Sequence, residues 1–449
     1  MLFRVSLSFL GVLSISACSA IDVGSGVNEV SELLVNRGGV PINQSVLDTD
    51  DITTGNIYLR HLDRPFSLEK ALQSTLAYSP KLRAHYARLK ISKIDVEQAS
   101  LPRNPQIDGV FTAGVTGEPS SLAMGVFFPV LDLIYRSIRL DETKAKFRLT
   151  QVRVAEDIMS HINLTSEAYL EIARSQARID ALSNVLVVAL SQAESARGLA
   201  LTGGIDGSEV ARLENISALA QIDLDQERNA KKIASLKLAS LIGASKNQDL
   251  NVSLNIKEVG KSLISLETAL MKAKKLRLDL AVANEQVRLK EIMLKRARQN
   301  IGPESLEFGP EYEKEGSDGF LGLNVGIEVP IFDNGKLKLE KAKAELSLAK
   351  HQLLVVENTI ATQLRTAYAD LSAKQKTVIA YRKELVPFTN VQLKLAKQRF
   401  ESGQIGALDF LRAEIAAARN QLTIIDAAAN FWDALIRFNS AVGGWPQMK

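Results

Sequence analysis

The chain has 449 residues, 46% of them apolar and 24% charged, so it is long enough for more than one structural unit and too apolar for a disordered protein. Its 55 basic and 51 acidic residues leave a net charge of only +4, which speaks for helix faces carrying both signs and against a nucleic-acid partner. Cys18 is the single cysteine, and His61, His85, His161 and His351 stand isolated, with no HExxH, cysteine ligand set or Gly-rich phosphate loop; we expect no enzyme, no metal and no cofactor.

Arg4 followed by the short apolar stretch Leu7–Ile15 reads as an export signal, residues 1–17, too short for a membrane span. The sequence Ile15-Ser16-Ala17-Cys18 resembles the lipobox of bacterial lipoproteins, in which the cysteine carries acyl chains such as palmitate. Ser19 favours sorting to the outer membrane, because bacterial lipoproteins with Asp at that position tend to stay in the inner one. Residues 18–65 then form a lipidated N-terminal arm, with Ser19–Arg64 expected to be extended and polar. No later segment offers 18 consecutive apolar residues, so any membrane crossing must be a closed barrel.

Leu68–Leu101 is expected to be helical. Two strands follow, Ile107–Thr116 and Ser121–Phe128, joined by a short hairpin at Gly117–Ser120. A long helix then spans Leu133–Leu201, the Gly-rich turn Thr202–Gly207 ends it, and Ser208–Ile242 returns. After a linker at 244–263 the same order recurs: helix Leu266–Asn300, strands Ser305–Glu313 and Gly319–Val329 about the loop Lys314–Asp318, helix Lys336–Ser402, turn Ser402–Gly406, and helix Ala407–Val442, with a tail at 444–449.

The second half repeats the first about 200 positions later. Ser67-Leu68-Glu69 matches Ser265-Leu266-Glu267, Pro129-Val130-Leu131-Asp132 matches Pro330-Ile331-Phe332-Asp333, Ala168-Tyr169 matches Ala367-Tyr368, and Leu241-Ile242-Gly243 matches Ala441-Val442-Gly443. The shared order and near-constant offset indicate a tandem duplication, with repeats at 66–243 and 264–443. Ile360, Leu364, Ala367 and Leu371 step along a coiled-coil seam. A helix of about 67 residues spans roughly 100 Å, and the two shorter helices of each half match that length if stacked end to end beside it. Pro387 is expected to kink the second long helix.

The strand segments alternate with period two. Ile107, Phe111, Leu122, Met124, Phe308, Tyr312, Leu321, Leu323, Val325 and Ile327 form a greasy face opposite polar positions. Strands of about 8–11 residues suit a tilted membrane crossing. Four strands cannot close a barrel, whereas three chains supply twelve. The expected lumen face carries Asp108, Glu307, Glu311 and Glu328 with no basic residue beside them, and Glu313 sits at the loop; threefold repetition gives acidic rings that bias a wide pore toward cations.

Val329-Pro330-Ile331-Phe332-Asp333-Asn334-Gly335, Arg399-Phe400-Glu401-Ser402-Gly403-Gln404-Ile405 running into Leu408-Asp409-Phe410-Leu411, and Gly443-Gly444-Trp445 resemble the TolC-like outer-membrane efflux factor family. The resemblance covers Phe66–Trp445 and is weaker in the first half. It implies a mainly α protein with a small β part: long antiparallel coiled coils forming a periplasmic α-barrel, and four strands contributed to a twelve-stranded trimeric β-barrel. It implies a homotrimer working with a periplasmic adaptor and an inner-membrane pump. The tip turns, with Gly203, Gly204, Gly403 and Gln404, become candidate adaptor contacts. Glu209, Arg212, Asp409 and Arg412 become candidate gate residues, Arg412 standing where the family often has aspartate. Charge pairing between neighbouring helices, such as Asp409 with an arginine, offers an alternative lock. A channel for ABC-driven peptide or protein secretion, and a periplasmic scaffold without a pore, are the alternatives to small-molecule efflux.

Overall fold

The computed structural model describes residues 24–42, 66–115, 119–244, 252, 263–299 and 305–445. Cys18, the first hairpin turn and most of the linker at 244–263 lie outside them.

The first described element corrects the extended arm. Gly24–Val35 is a helix, α1, and Val27, Val30 and Leu34 on one of its faces are buried. Their spacing of three and four residues is that of a helical stripe. They join Leu72, Leu76, Leu82, Leu89, Ile158 and Trp445 in one core. The arm docks here because it carries its own apolar face, a signal that its overall polarity concealed.

The expected helix over Leu68–Leu101 is two helices, α2 (Leu68–Tyr78) and α3 (Pro80–Ser100). Ser79 between them is extended, the conformation that a following proline imposes on its predecessor. The strands β1 (Gln106–Thr112) and β2 (Ser121–Pro129) lead into α4 (Val130–Leu201), whose 72 residues give a rod of about 108 Å. Ala155, Ala181, Ala189, Ala193 and Ala196 are buried along it, so neighbouring helices approach closely. Helix α5 (Gly207–Ile242) returns along α4.

The second half follows the same order. The expected helix Leu266–Asn300 is again two, α6 (Leu266–Leu276) and α7 (Leu278–Gln299), broken at an extended Arg277 with no proline to announce it. Strands β3 (Leu306–Glu315) and β4 (Asp318–Ile327) are joined by the two-residue turn Gly316-Ser317. Helix α8 (Lys336–Ala380) passes through a π-helical turn at Tyr381–Leu385 into α9 (Val386–Glu401). Pro387 lies just past that turn: the extra residue accommodates the missing N–H and the ring without ending the helix. Helix α10 (Ala407–Val442) closes the fold.

In each half the two shorter helices meet end to end beside the long one. Helices α3 and α5 both pack on α4, and α7 and α10 both pack on α8 and α4. The junctions are built alike. Gly243 ends α5 at φ 78°, and a Cβ there would stand 2.3 Å from the Tyr78 carbonyl oxygen at the α2–α3 break. Gly443 ends α10 at φ 83°, and its Cβ would meet the Arg277 nitrogen at 2.8 Å at the α6–α7 break. Only glycine tolerates both the left-handed turn and the contact. A polar side chain ties each junction. His161 Nε2 lies 2.8 Å from Ser79 Oγ and 3.1 Å from the Leu241 carbonyl. Arg277 Nη1 donates to the Ala441 carbonyl at 3.1 Å.

Candidate functional site

The four strands form one antiparallel sheet in the order β1-β2-β3-β4. Directly paired residues share a face, so register shows whether the sequence pattern was read correctly. Asp108 pairs with Gly125, Gly125 with Glu311, and Glu311 with Gly322, so this row crosses the sheet on one face. Glu307, opposite Gly326, has the same parity. The Glu328 amide donates to the Ser305 carbonyl at 3.3 Å and continues the ladder past the end of β4, and Glu328 keeps that parity too. The four acidic positions therefore share a face, where Asn324 Nδ2 donates to Glu311 Oε2 at 3.0 Å. The same face holds Glu313, Glu315 and Asp318 toward the turn, Glu315 directly opposite Asp318. A strand expected to end at Glu313 places that residue at the loop. The strand runs on to Glu315, and alternation through Lys314 was the available signal.

The other face carries Ile107, Phe111, Met124, Phe308, Leu321, Leu323, Val325 and Ile327. Nothing among the described residues covers it: Leu321 is 81% exposed, Ile107 72% and Leu323 70%. Among the described residues the outer strands β1 and β4 have no further partner in the sheet. An uncovered apolar face of this extent, bounded by two free edges, is stable in water only if something else covers it. Among the described residues no helix is long and apolar enough to cross a membrane.

At the far end of the long helices are the two tips. Both end in the same hydrogen-bonded cap. Gly203 and Gly403 take φ near 73° and 72°. The Gly204 amide donates to the Leu199 carbonyl and the Gln404 amide to that of Arg399, both at 2.8 Å. The Gly203 and Gly403 amides reach the Ala200 and Phe400 carbonyls. These six-to-one and five-to-two bonds satisfy the last carbonyls of each helix. Asp206 then caps α5 by accepting from the Glu209 amide at 2.9 Å. Across the second tip, the rings of Phe400 and Phe410 stack at 5.2 Å.

The four candidate gate residues come together. Arg212 holds Glu209 with both Nε and Nη2, at 2.7 and 2.6 Å. Arg412 Nη2 reaches the same carboxylate at 2.7 Å from the other half of the chain, while its Nη1 holds Asp409 at 2.9 Å. The pairing differs from the lock expected for Asp409: that residue binds an arginine on its own helix, and the link between helices is Glu209–Arg412. The hydrogen bond from Arg212, reinforced by that from Arg412, draws the Glu209 carboxyl down to about 2. Sequence spacing could not show this link, since Glu209 and Arg412 are 203 positions apart. Gln192 adds a second tie between the two halves, donating to the Leu408 carbonyl at 3.2 Å.

Higher up, Arg178 bridges the halves, with Nε on Glu227 at 2.8 Å and Nη1 on Asp426 at 2.5 Å; Arg174 also reaches Asp426. Nothing in the sequence singles out this cluster, because charges on long helices look alike until packing brings them together.

Comparison with known proteins agrees with this architecture. Residues 269–444 match the outer membrane efflux protein family. The outer membrane protein OprJ of Pseudomonas aeruginosa is 33% identical over 129 residues, 27% of this chain and 26% of that protein. The solvent efflux pump outer membrane protein SrpC of Pseudomonas putida is 25% identical over 323 residues, 67% and 64%. The chain thus spans about a quarter of the length of OprJ and just under two thirds of SrpC. The Campylobacter jejuni CmeC outer membrane channel superposes with a TM-score of 0.70 at 15% identity, covering 85% of this chain and 86% of that one. VceC of Vibrio cholerae gives 0.67 at 16%, covering 85% and 97%. The chain has the TolC-like fold of these outer-membrane channels.

Proposed function

We propose that three copies of this chain form an outer-membrane channel that serves a tripartite efflux system, a passive conduit carrying small molecules from a periplasmic adaptor and an inner-membrane pump to the exterior. The observation that carries this reading is the four-stranded sheet with its uncovered apolar face and two free edges, set at one end of a rod about 100 Å long. Three such sheets, joined edge to edge, make a twelve-stranded barrel that hides every edge and gives the apolar face to lipid. Asp108, Glu307, Glu311 and Glu328 then ring the lumen. The name of SrpC, a solvent efflux pump outer membrane protein, supports the small-molecule reading over peptide secretion.

At the opposite end, Gly203, Gly204, Gly403 and Gln404 form the surface for the adaptor, and Glu209–Arg412 holds the closed state of the gate, with Arg212 and Asp409 setting the two linking side chains. Residues 66–243 and 264–443 act as two repeats. Cys18, outside the described residues, carries the lipid that accompanies the barrel into the membrane.

Single-channel recording in planar bilayers tests the reading. The purified chain is expected to give stepwise, cation-preferring currents. Arg412→Ala, which cuts the link between the repeats, is expected to raise the open fraction several-fold, and Asp409→Ala to change it less, because Asp409 bonds only within its own helix. Inserted protein without current would leave the scaffold reading, and unchanged gating in Arg412→Ala would remove the lock.

A further inference from the structure

A cleft of about 830 Å³ opens at the second junction, between α4, α8, the Arg277 break and the end of α10. Its floor is apolar, with Met159, Leu278 and Ile436, and its charges are unevenly satisfied. Both of its arginines are occupied. Arg277 is held by Asp279 at 2.5 Å and by Gln363 at 2.9 Å. Arg437 is held by Asp433 at 3.0 Å.

Three carboxylates on the walls, Glu156, Glu167 and Asp370, have no ion-pair or hydrogen-bond partner among the described residues. The Asn163 amide donates to Ser440 Oγ at 2.9 Å, yet its Oδ1 is buried without a donor. Buried acceptors are normally satisfied. Burial, then Asp279 and Asp157, outweigh Arg277 and Arg153 and push the Glu156 carboxyl above its ordinary value; burial, then Asp433, outweigh Arg437 and Lys237 at Glu167. At both positions a further cation would offset the cost of the ionised form.

The spacing of these acceptors selects a ligand shape. Glu156, Asn163 and Glu167 are seven and four residues apart, so they line one face of α4. Eleven residues separate the two carboxylates along a straight helix, a span of about 16 Å. A point cation satisfies one end only. A long chain with ammonium groups at its ends, methylenes between them and an N–H in the middle meets both carboxylates, the apolar floor and the orphan amide oxygen together.

We propose that this cleft binds a linear polyamine, its terminal ammonium groups on Glu156 and Glu167 and an inner N–H on Asn163 Oδ1. Asp370, on the opposite wall, adds negative potential. The site is separate from the tip and the sheet, and binding to the solubilised protein does not depend on whether the channel conducts.

Calorimetric titration of the purified full chain in detergent at low salt tests this, with spermine, putrescine and magnesium chloride as probes. Spermine is expected to saturate at one site per chain. Glu156→Gln and Glu167→Gln are each expected to weaken it about tenfold, the loss of one charged hydrogen bond. Asp370→Asn is expected to weaken it about threefold by removing charge from an exposed wall. The isosteric glutamines relieve repulsion among carboxylates, so circular dichroism should match the unsubstituted chain. Putrescine, too short to join both ends, is expected to bind at least tenfold more weakly. Absence of saturable spermine binding would overturn the proposal. So would equal binding by the doubly substituted Glu156→Gln, Glu167→Gln chain, or putrescine or magnesium binding as tightly as spermine.

Discussion

The end-to-end junctions make a sharp quantitative demand on glycine. Gly203 and Gly243 have nearly the same backbone conformation, φ 73° and 78°. Alanine at either position suffers the left-handed penalty of about 1–2 kcal/mol. At Gly203 that is the whole cost, since nothing lies within 4 Å of the new methyl. At Gly243 the methyl meets the Tyr78 carbonyl oxygen at 2.3 Å and its carbon at 2.9 Å. These are backbone atoms and cannot swing aside, so α5 and α2 must separate, adding about 1–3 kcal/mol. Gly243→Ala is therefore expected to destabilise by about 2–5 kcal/mol in all. The midpoint of urea unfolding of the purified chain in detergent, followed by helical circular dichroism, measures the difference. Gly443→Ala should group with Gly243→Ala, and Gly403→Ala with Gly203→Ala. If Gly243→Ala and Gly203→Ala fall within about 0.5 kcal/mol of each other, the close approach has no energetic consequence and the account of the junction is wrong.

Three further outcomes follow from the same geometry. Glu209, held near 2 instead of its ordinary 4.5, has a depressed carboxyl; its ion pairs persist above that value and fail only as pH falls through about 2. Closed-state conductance should thus stay flat from neutrality down to about pH 4, and a transition in that range that vanishes in Glu209→Gln would contradict the assignment. Arg178→Ala strips partners from the half-buried Glu227 and Asp426 and is expected to cost about 1–3 kcal/mol in unfolding experiments. Arg228→Ala, at an exposed pair within one helix, should stay within about 0.5 kcal/mol. On the sheet, Val325→Arg is expected to weaken membrane insertion by about 2–4 kcal/mol, read as loss of urea-resistant membrane protein. Glu311→Gln, on the other face, should leave insertion intact and reduce cation preference.

The sequence exposed what depends on local periodicity. Alternation in the four strand segments assigned faces that the pairing register reproduces, from Asp108 to Glu311. Gly203 and Gly403 marked the tips because a left-handed cap requires glycine. What depends on distant neighbours was harder to see. The Ser79 break was available in Pro80, whereas the Arg277 break, against which the end of α10 packs, leaves no local mark. Helix α1 was hidden by the polarity of its surroundings, although Val27, Val30 and Leu34 carry the stripe. That Glu209, Arg212, Asp409 and Arg412 lie close to the tip glycines was legible from their spacing, but not which carboxylate each arginine would choose. That choice depends on how α5 and α10 lie side by side.

Trp445 donates its amide to the Arg37 carbonyl, and Arg37 Nε in turn reaches the Leu276 carbonyl at 2.6 Å. The Trp445 ring covers Gly39 so closely that a Cβ there would stand 2.6 Å from it. Residues some 400 positions apart thus complete the second junction together. Closing so long a loop costs more chain entropy than pairing helices that are neighbours in sequence, so the clasp of Arg37, Gly39 and Trp445 is the costlier contact to close. Without it, the Leu276 carbonyl at the α6–α7 break would lose its guanidinium partner.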